Sequence, residues 1–292
     1  MERVIDEEFL RRLGNLRFIA RRRRKGDIFG VHPSPRSGMS LEFADYRPYT
    51  PGDDFRYVDW NVYGRLDRIL VKRFSRESDL PIYILLDLSS SMRIGTPSKA
   101  SYATHLSAAL AYLGLRSLDR VGLYPFTDRL GRPIPPRHGM GQMAHILSAL
   151  AGLEPVGETS IDRAAAEFNS HSRESGIVVL ISDFLTADGY EEGLGRLVHR
   201  GHEPIAIQIL APEEVHPSGL GRMQLIDVET KQRVRLTVDR STIASYEKRL
   251  EEHLRRLRRA LFERRIPYFL ALTDLPLSRF IHEELRRGGV IE

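Results

Sequence analysis

The segment Asp87-Leu88-Ser89-Ser90-Ser91 has the residue types and the spacing of a cation site built from oxygen ligands. A carboxylate and two hydroxyls stand at alternate positions, directly after the apolar run Pro81 to Asp87. On a tight loop after a strand, these three groups can converge on one point. Oxygen-only ligands suit hard cations such as Mg²⁺, with Mn²⁺ and Ca²⁺ as alternatives. Taken alone, the pattern fits equally well an aspartate and serines that cap the next helix.

Two later positions favour the cation site. Thr159 lies in the loop before a predicted helix, and Asp183 closes the apolar run Ile177 to Asp183. In a parallel sheet these loops lie on the same edge as Asp87, where ligands of such sheets bind. The predicted metal site therefore consists of five residues: Asp87, Ser89, Ser91, Thr159 and Asp183.

The elements that must position this site alternate between strand and helix from Leu80 onward. Short apolar runs such as Pro81 to Asp87 and Pro204 to Leu210 are typical of strands that are buried on both faces. The pattern predicts an α/β fold, a doubly wound and mostly parallel sheet, over residues 80–292. A β-hairpin is predicted near 223–238 and a long helix over 240–265.

The first 79 residues have a different character and are predicted to form a separate segment. Residues 1–25 carry apolar residues at helical spacing, and residues 26–78 are rich in Gly, Pro and aromatic residues, which favours strands and turns. The expected organisation is thus an N-terminal helix with a small β-rich segment (1–79) followed by the α/β domain (80–292).

The residue types and motifs that the sequence lacks exclude several classes of function. The 292 residues include no cysteine, which excludes disulfides, thiolate catalysis and Cys-ligated zinc or iron–sulfur centres. The sequence shows no signal peptide and no run of about 18 apolar residues, so we expect a cytoplasmic protein without a transmembrane anchor. It also lacks the G-x-x-x-x-G-K-[ST] phosphate loop, so ATP hydrolysis would need a separate polypeptide.

Two other functions stay open. A metal-dependent hydrolase or phosphatase of the haloacid-dehalogenase kind needs a second aspartate two residues after the first, where this chain has Ser89, and no histidine base for Ser91 is evident. The arginine clusters Arg21–Lys25 and Arg255–Arg259 would suit nucleic acid or peripheral contact with an anionic membrane. The net charge of +5 is small, and such clusters are more often solvated helix faces, so we expect no specific nucleic-acid partner.

The five oxygen-bearing residues resemble the metal-ion-dependent adhesion site (MIDAS) of von Willebrand factor A domains, which combines D-x-S-x-S with a threonine and a second aspartate. The resemblance implies that Asp87, Ser89, Ser91, Thr159 and Asp183 hold Mg²⁺ and that the cation takes up an acidic residue of a partner. Phe184 departs from the pattern, because many relatives have glycine after the second aspartate. That departure concerns the shape of the loop more than the ligands.

Residues 30–68 resemble the hallmark segment of domain-of-unknown-function family 58, which joins such a segment to a von Willebrand A-like domain. The resemblance is carried by Gly30, His32, Ser34, Gly38, Glu42, Phe43, Arg47, Tyr49, Gly52, Asp53, Asp54, Arg56, Asp59, Trp60 and Arg65. It implies a non-enzymatic adaptor that works with a MoxR-type AAA+ ATPase and with a client protein. We expect arginine–aspartate pairs and buried aromatic residues in this segment.

Overall fold

The computed structural model describes Leu16, Phe18, Ile19 and residues 41–50, 58–66, 68–76, 81–186, 188–229 and 231–292. These residues belong to two compact units. One consists of the described residues between 41 and 76, and the other of Leu16, Phe18, Ile19 and all described residues from 81 onward. Most of the helix predicted over 1–25, the cluster Arg21–Lys25 and residues 30–40 and 51–57 of the hallmark segment lie outside the described residues.

The described part of the smaller unit contains two antiparallel strands and one helix. The strands are β1 (Leu41–Pro48) and β2 (Leu70–Arg76), and α1 (Trp60–Leu66) lies between them in the chain. The prediction of strands and turns alone is wrong at α1. Buried Asp59 starts this helix, since its Oδ1 accepts the N–H groups of Asn61 (3.1 Å) and Val62 (3.3 Å).

Two described aromatic residues of the smaller unit, Trp60 and Tyr46, are less buried than the sequence predicts. Trp60 is 58% exposed, and Tyr46 is 39% exposed. The hydroxyl of Tyr46 donates to Oδ2 of Asp59 at 2.7 Å. Asp59 therefore both caps the N-terminus of α1 and accepts a hydrogen bond from Tyr46.

The larger unit is built on a six-stranded sheet. Its strands are β3 (Pro81–Asp87), β4 (Arg120–Phe126), β5 (Ile134–Arg137), β6 (Ile177–Ser182), β7 (Glu203–Leu210) and β10 (Tyr268–Leu272). Their order across the sheet is β10-β7-β6-β3-β4-β5. All neighbours pair in parallel except β4 and β5. The antiparallel β5 contains two prolines, which are tolerated at an edge because they cannot donate to a ladder.

Helices cover both faces of this sheet. They are α2 (Lys99–Arg116), α3 (Met140–Ala151), α4 (Ile161–His171), α5 (Glu191–His199), α6 (Pro212–Val215), α7 (Arg240–Glu263) and α8 (Leu277–Arg279, continued by the π-helical Phe280–Leu285). Side chains of β3 alternate between two cores: Ile82 and Ile84 pack with α2 and α3, whereas Tyr83 and Leu85 pack with α4 and α5. The doubly wound, mostly parallel α/β fold predicted from the sequence is thereby confirmed.

The chain termini and the hairpin complete the larger unit. The hairpin strands β8 (Gly221–Ile226) and β9 (Arg233–Val238) pair antiparallel and lead into α7. Phe18 forms an isolated antiparallel bridge with Ile291, so the predicted N-terminal helix does not continue through this residue. In the described part of the chain, no helix is both long and apolar enough to cross a bilayer.

The arginine cluster of α7 forms the outer face of an amphipathic helix. Leu257 is buried, whereas Arg255, Arg256, Arg258 and Arg259 are exposed. Arg259 pairs with Glu263 at 2.8 Å, one turn further along the helix. This is the solvated basic face that the periodicity predicts.

Candidate metal centre

Sheet register brings the two predicted aspartates to one edge. β3 and β6 are neighbours, and Leu86 pairs with Ile181, so Asp87 at the end of β3 lies beside Ser182 at the end of β6. Asp183 follows immediately. Both strands point the same way, which places their carboxyl ends together. Asp87, Ser89 and Asp183 are fully buried, and Thr159 is almost so.

Asp87 is the centre of the hydrogen-bond network. Its Oδ2 accepts the hydroxyl of Ser182 at 2.6 Å and the hydroxyl of Thr159 at 3.1 Å. Its Oδ1 accepts the backbone N–H of Ser89 at 2.9 Å. One carboxylate thus joins three of the loops at this edge of the sheet.

The electrostatic environment of Asp87 opposes its ionisation. Burial raises its pKa to about 6, and the nearby charge of Asp183 adds to the increase, although hydrogen bonds from Ser182 and Ser89 lower it. At this edge of the sheet, the hydrogen bonds from Ser182 and Ser89 therefore do not fully compensate the negative charge of Asp87.

Ser89 and Ser91 supply two further oxygens. Their hydroxyls lie 2.9 Å apart and hydrogen-bond to each other. Ser91 is only half-buried, so it forms the rim of the site. The serine loop is tied to the loop that carries Thr159, because Ser90 N–H donates to Gly157 O at 2.9 Å and Val156 N–H donates to Leu88 O at 2.7 Å.

The second aspartate is paired with a buried lysine, Lys99, that is not among the residues predicted from the sequence. Lys99, the first residue of α2, places its Nζ 2.7 Å from Oδ2 of Asp183 and 2.6 Å from Oε1 of Glu214. Burial alone lowers the pKa of Lys99, but the two carboxylates more than offset this effect and leave the pKa raised. No sequence pattern signals this contact, since the partners are more than 80 positions away.

Phe184 follows Asp183 in a left-handed conformation, with φ of +55°. Its N–H donates to Ser182 Oγ at 3.0 Å, and its carbonyl oxygen lies 2.9 Å from Nε2 of His253. The ring is fully buried and meets Tyr190 edge-on at 6.1 Å. Packing thus holds a phenylalanine in the backbone conformation that glycine adopts most readily.

Glu229, in the turn of the β8–β9 hairpin, also reaches this edge. Burial and then the charge of Asp183 raise the pKa of Glu229, whereas the Ser91 hydroxyl and the backbone N–H groups of Thr159 and Ser91 lower it. No local pattern in the sequence points to this residue, because the sequence does not show which part of the fold the tip of a hairpin will approach.

The structure brings all five sequence-predicted residues together, and the ligand role of each stays a prediction. Their chemistry fits a hard cation. A hydroxyl that donates its hydrogen to a carboxylate, as Thr159 does to Asp87, keeps two oxygen lone pairs for another partner. Among the described residues, no group of three or more His, Cys, Asp and Glu side chains is close enough to hold a metal. A cation here would therefore depend on the neutral hydroxyls.

Comparison with known proteins gives the family. The model of "Protein of unknown function DUF58" matches residues 45–256, which is well over half of the chain. The chain belongs to the DUF58 family. Uncharacterized protein Rv1480 of Mycobacterium tuberculosis is 30% identical to this DUF58 chain over 211 residues, which cover 70% of this chain and 65% of that protein. The chain thus spans slightly less than two thirds of that relative's length. Uncharacterized protein MAV169 of Mycobacterium avium is 27% identical over 164 residues, or 54% of this chain and 96% of that protein.

Several solved structures are similar to this DUF58 chain at lower sequence identity. BatB from Bacteroides thetaiotaomicron is 15% identical with a TM-score of 0.46, covering 72% of this chain and 98% of that one. Manganese-loaded TRAP protein from Plasmodium vivax is 22% identical with a TM-score of 0.33, covering 44% and 57%. Proximal thread matrix protein 1 from the mussel byssus, with a zinc-occupied MIDAS motif, is 18% identical with a TM-score of 0.36, covering 45% and 38%.

Proposed function

We propose that this DUF58 chain is a non-enzymatic adaptor that binds a divalent cation at the edge of its sheet and captures an acidic residue of a partner protein. One observation carries the proposal: two buried carboxylates and three hydroxyls converge there, and the pKa of Asp87 is raised because burial and Asp183 leave its charge undercompensated. A cation at that point would relieve the repulsion between the two carboxylates.

The residues proposed to hold the cation are Asp87, Ser89, Ser91, Thr159 and Asp183. Mg²⁺ is the proposed ion, with Mn²⁺ or Ca²⁺ as alternatives. When bound, a cation surrounded largely by neutral hydroxyls keeps much of its attraction for a further anionic oxygen. Ser91 lies at the half-buried rim, which is where an acidic side chain from outside would arrive.

The hydrogen bonds of the serines support a binding role over a hydrolytic one. Ser89 and Ser91 bond to each other, and within the described residues neither hydroxyl bonds to a histidine. His253, close to the same loop, is engaged with the carbonyl oxygen of Phe184. A serine nucleophile would need a base within hydrogen-bond reach.

The proposed partners are a MoxR-type AAA+ ATPase and a client protein with an acidic residue. The support for the ATPase is the hallmark-segment resemblance together with the lack of a phosphate loop in the 292 residues. Cytoplasmic location is part of the same proposal. Two exposed arginines of α7, Arg255 and Arg259, pair with neighbouring glutamates, and this favours a solvated face over a nucleic-acid site.

Metal-dependent binding is the test. Wild-type protein, Asp87→Ala and the surface control Glu263→Gln are titrated with Mn²⁺ by electron paramagnetic resonance. The same three proteins are then used to capture the co-expressed ATPase in Mg²⁺ and in chelator. We expect one Mn²⁺ site and Mg²⁺-dependent capture in wild type and control, and neither in Asp87→Ala. Equal capture by all three proteins, with or without chelator, would contradict the proposal.

A further inference from the structure

A groove lies beside the candidate metal centre, between α3, the edge strand β5 and the loop that carries Val156. Its volume is about 950 Å³, which is the size of a ligand-binding pocket. Much of its lining is apolar and includes Leu88, Pro125, Ile134, Pro135, Leu153 and Val156. The groove therefore has room for several apolar side chains of another molecule.

Hydrogen bonds hold the two walls of this groove in place. Gln142 on α3 is buried, and its Nε2 donates to Pro135 O on β5 and to Val121 O on β4, both at 2.9 Å. The side chain thus ties the helix directly to the edge of the sheet. The groove is preformed, so an occupant would not have to meet the cost of opening it.

The groove begins at the loop of the candidate metal centre. Leu88 stands between the proposed ligands Asp87 and Ser89 and lines the groove. Its N–H donates to Phe126 O at 2.8 Å, and its carbonyl oxygen accepts the N–H of Val156 at 2.7 Å. Phe126 and Val156 also line the groove. A chain that places an acidic residue on the cation would therefore continue directly into this groove.

The outer side of α3 extends the apolar surface beyond the groove. The 12 residues of this helix include no Asp, Glu, Lys or Arg, although 28% of the whole chain is charged. Met140 is 52% exposed and Leu147 is 40% exposed. Ala144 is also exposed and lies on the same face, because the three residues follow helical spacing. A connected apolar surface of this kind is typical of an interaction site.

The charges at the groove favour an acidic occupant. Arg132 and Arg137 line it at exposed positions, and the exposed Glu154 opposes them, so these three residues leave a net charge of +1. Charge complementarity selects a partner with the opposite sign. This agrees with the carboxylate that is proposed to reach the cation.

We infer that the groove is a second docking site for the partner protein and takes the apolar segment that adjoins the captured acidic residue. The inference rests on the proposed function and adds the chemistry of the partner: one acidic residue next to a short run of aliphatic residues. Because the two parts are linked, binding of one raises the effective concentration of the other. An acidic residue with a polar flank is therefore captured only weakly.

The test measures how tightly fluorescein-labelled peptide pools bind the Mg²⁺-loaded protein, by fluorescence anisotropy. Each peptide carries one Asp and a flank of about four residues, which spans about 13 Å when extended. The flank precedes the Asp in half of each pool and follows it in the other half. The apolar pool draws its flank from Leu, Val, Met and Ala, and the polar pool from Ser, Thr, Gly and Asn. We expect wild type to bind the apolar pool at least about tenfold more tightly, since burial of one aliphatic side chain supplies such a factor.

Two neutral variants change the groove, and a third variant is the control. Val156→Gln replaces an apolar lining residue that is 53% exposed, and Ala149→Gln narrows the groove from the α3 side. The control, Phe262→Gln, changes an 82% exposed side chain on α7, which packs on the opposite face of the sheet. We expect each groove variant to bind the apolar pool at least about fivefold more weakly than wild type. The control should bind like wild type, and Mn²⁺ affinity by electron paramagnetic resonance should be equal in all four proteins.

Three results would overturn the inference. The first is equal binding of the apolar and polar pools by wild type, and the second is binding of the apolar pool by both groove variants as tight as by wild type. The third is a dimer, detected by light scattering, that the groove variants dissociate, because a second copy of the chain would then cover the groove.

A third peptide pool, with the apolar flank and Asn in place of Asp, separates this inference from the proposed function. If it binds wild type as tightly as the Asp pool does, and the groove variants weaken both, the groove stands as a docking site and metal-dependent capture fails. If Asp is preferred over Asn only in Mg²⁺, with no preference between apolar and polar flanks, the proposed function stands and the groove inference fails.

Discussion

Lys99 Nζ lies 2.7 Å from Oδ2 of Asp183, and both side chains are fully buried. The same ammonium contacts Glu214 at 2.6 Å. Glu214 in turn accepts the backbone N–H of Ala211 at 2.8 Å, just after β7. A single positive charge on α2 therefore connects the loops that follow β6 and β7, and it supports the carboxylate that the metal centre requires.

Removal of this charge should destabilise the protein. In Lys99→Met, Asp183 and Glu214 would remain buried without their counter-charge, and loss of one partner of a buried pair costs about 3–5 kcal/mol. Urea denaturation should show that decrease in the free energy of unfolding, whereas the exposed Lys248→Met should lie within about 0.5 kcal/mol of wild type. Neutralising the acids as well, in Lys99→Met/Asp183→Asn/Glu214→Gln, should recover part of the loss. A Lys99→Met protein as stable as wild type would show that the pair contributes nothing.

Ionised Asp87 should destabilise the folded protein when no metal is bound. Its folded-state pKa of about 6 exceeds the ordinary aspartate value of about 4, so the unfolded chain releases this proton first, and stability decreases as the pH rises from about 4 to about 6. In chelator at pH 8, Asp87→Asn should be more stable than wild type by about 1–2 kcal/mol, because the loss of one hydrogen bond from Ser89 offsets part of the gain. The advantage should shrink towards pH 4.

The same variant should lose its response to metal. Saturating Mg²⁺ should raise the melting temperature of wild type, since a ligand that binds only the folded state stabilises it. The melting temperature of Asp87→Asn should not change with Mg²⁺. Higher stability of Asp87→Asn in chelator, together with no response to Mg²⁺, would show that Asp87 binds metal and is not needed for the fold. If Asp87→Asn is less stable than wild type in chelator at pH 8, the buried charge of Asp87 is not destabilising.

Substitutions of Phe184 should reverse the usual order of alanine and glycine. Loss of the buried ring should cost about 3–5 kcal/mol in Phe184→Ala. Phe184→Gly loses the same contacts but relieves the left-handed backbone, which costs a residue with a Cβ about 1 kcal/mol. Chemical denaturation should therefore find the glycine variant about 1 kcal/mol more stable than the alanine variant. The opposite order would mean that the loop relaxes out of this conformation.

His202 should make the protein sensitive to mild acid. It is buried between Tyr83 and Phe168, and its Nδ1 accepts the N–H of Gly176 at 3.2 Å. Because a nitrogen that accepts a hydrogen bond carries no proton, the folded protein favours the neutral ring. Burial, with a smaller effect from Arg200, lowers its pKa to about 4. The unfolded chain therefore binds the extra proton first as the pH falls from about 6.5 to 4, and up to about 3 kcal/mol of stability is lost across that range. Below about pH 4 this loss should level off.

His202→Gln is the comparison that isolates this effect. The variant should be less stable than wild type at pH 7.5, because it loses the packing of the ring. Between pH 6.5 and 4, however, its free energy of unfolding should decrease less than that of wild type. Parallel pH profiles for the two proteins would exclude His202 as the source of the acid sensitivity.

The sequence by itself determined the sheet and the position of the site along it. Apolar runs that end in Asp87 and Asp183 are local signals, and parallel strands necessarily bring such ends to one edge. The regular alternation of strand and helix also predicted helices on both faces. These features follow from residue type and periodicity, which depend on near neighbours in the chain.

Only the tertiary structure decided what surrounds those two aspartates. Lys99 and Glu229 reach the site from a helix and a hairpin that are remote in sequence, and their contacts depend on how those elements pack. The left-handed Phe184 is likewise held by Tyr190 and the fold around it, against its own backbone preference. Local propensity cannot encode such contacts, because they become favourable only when the elements are packed together and water is excluded.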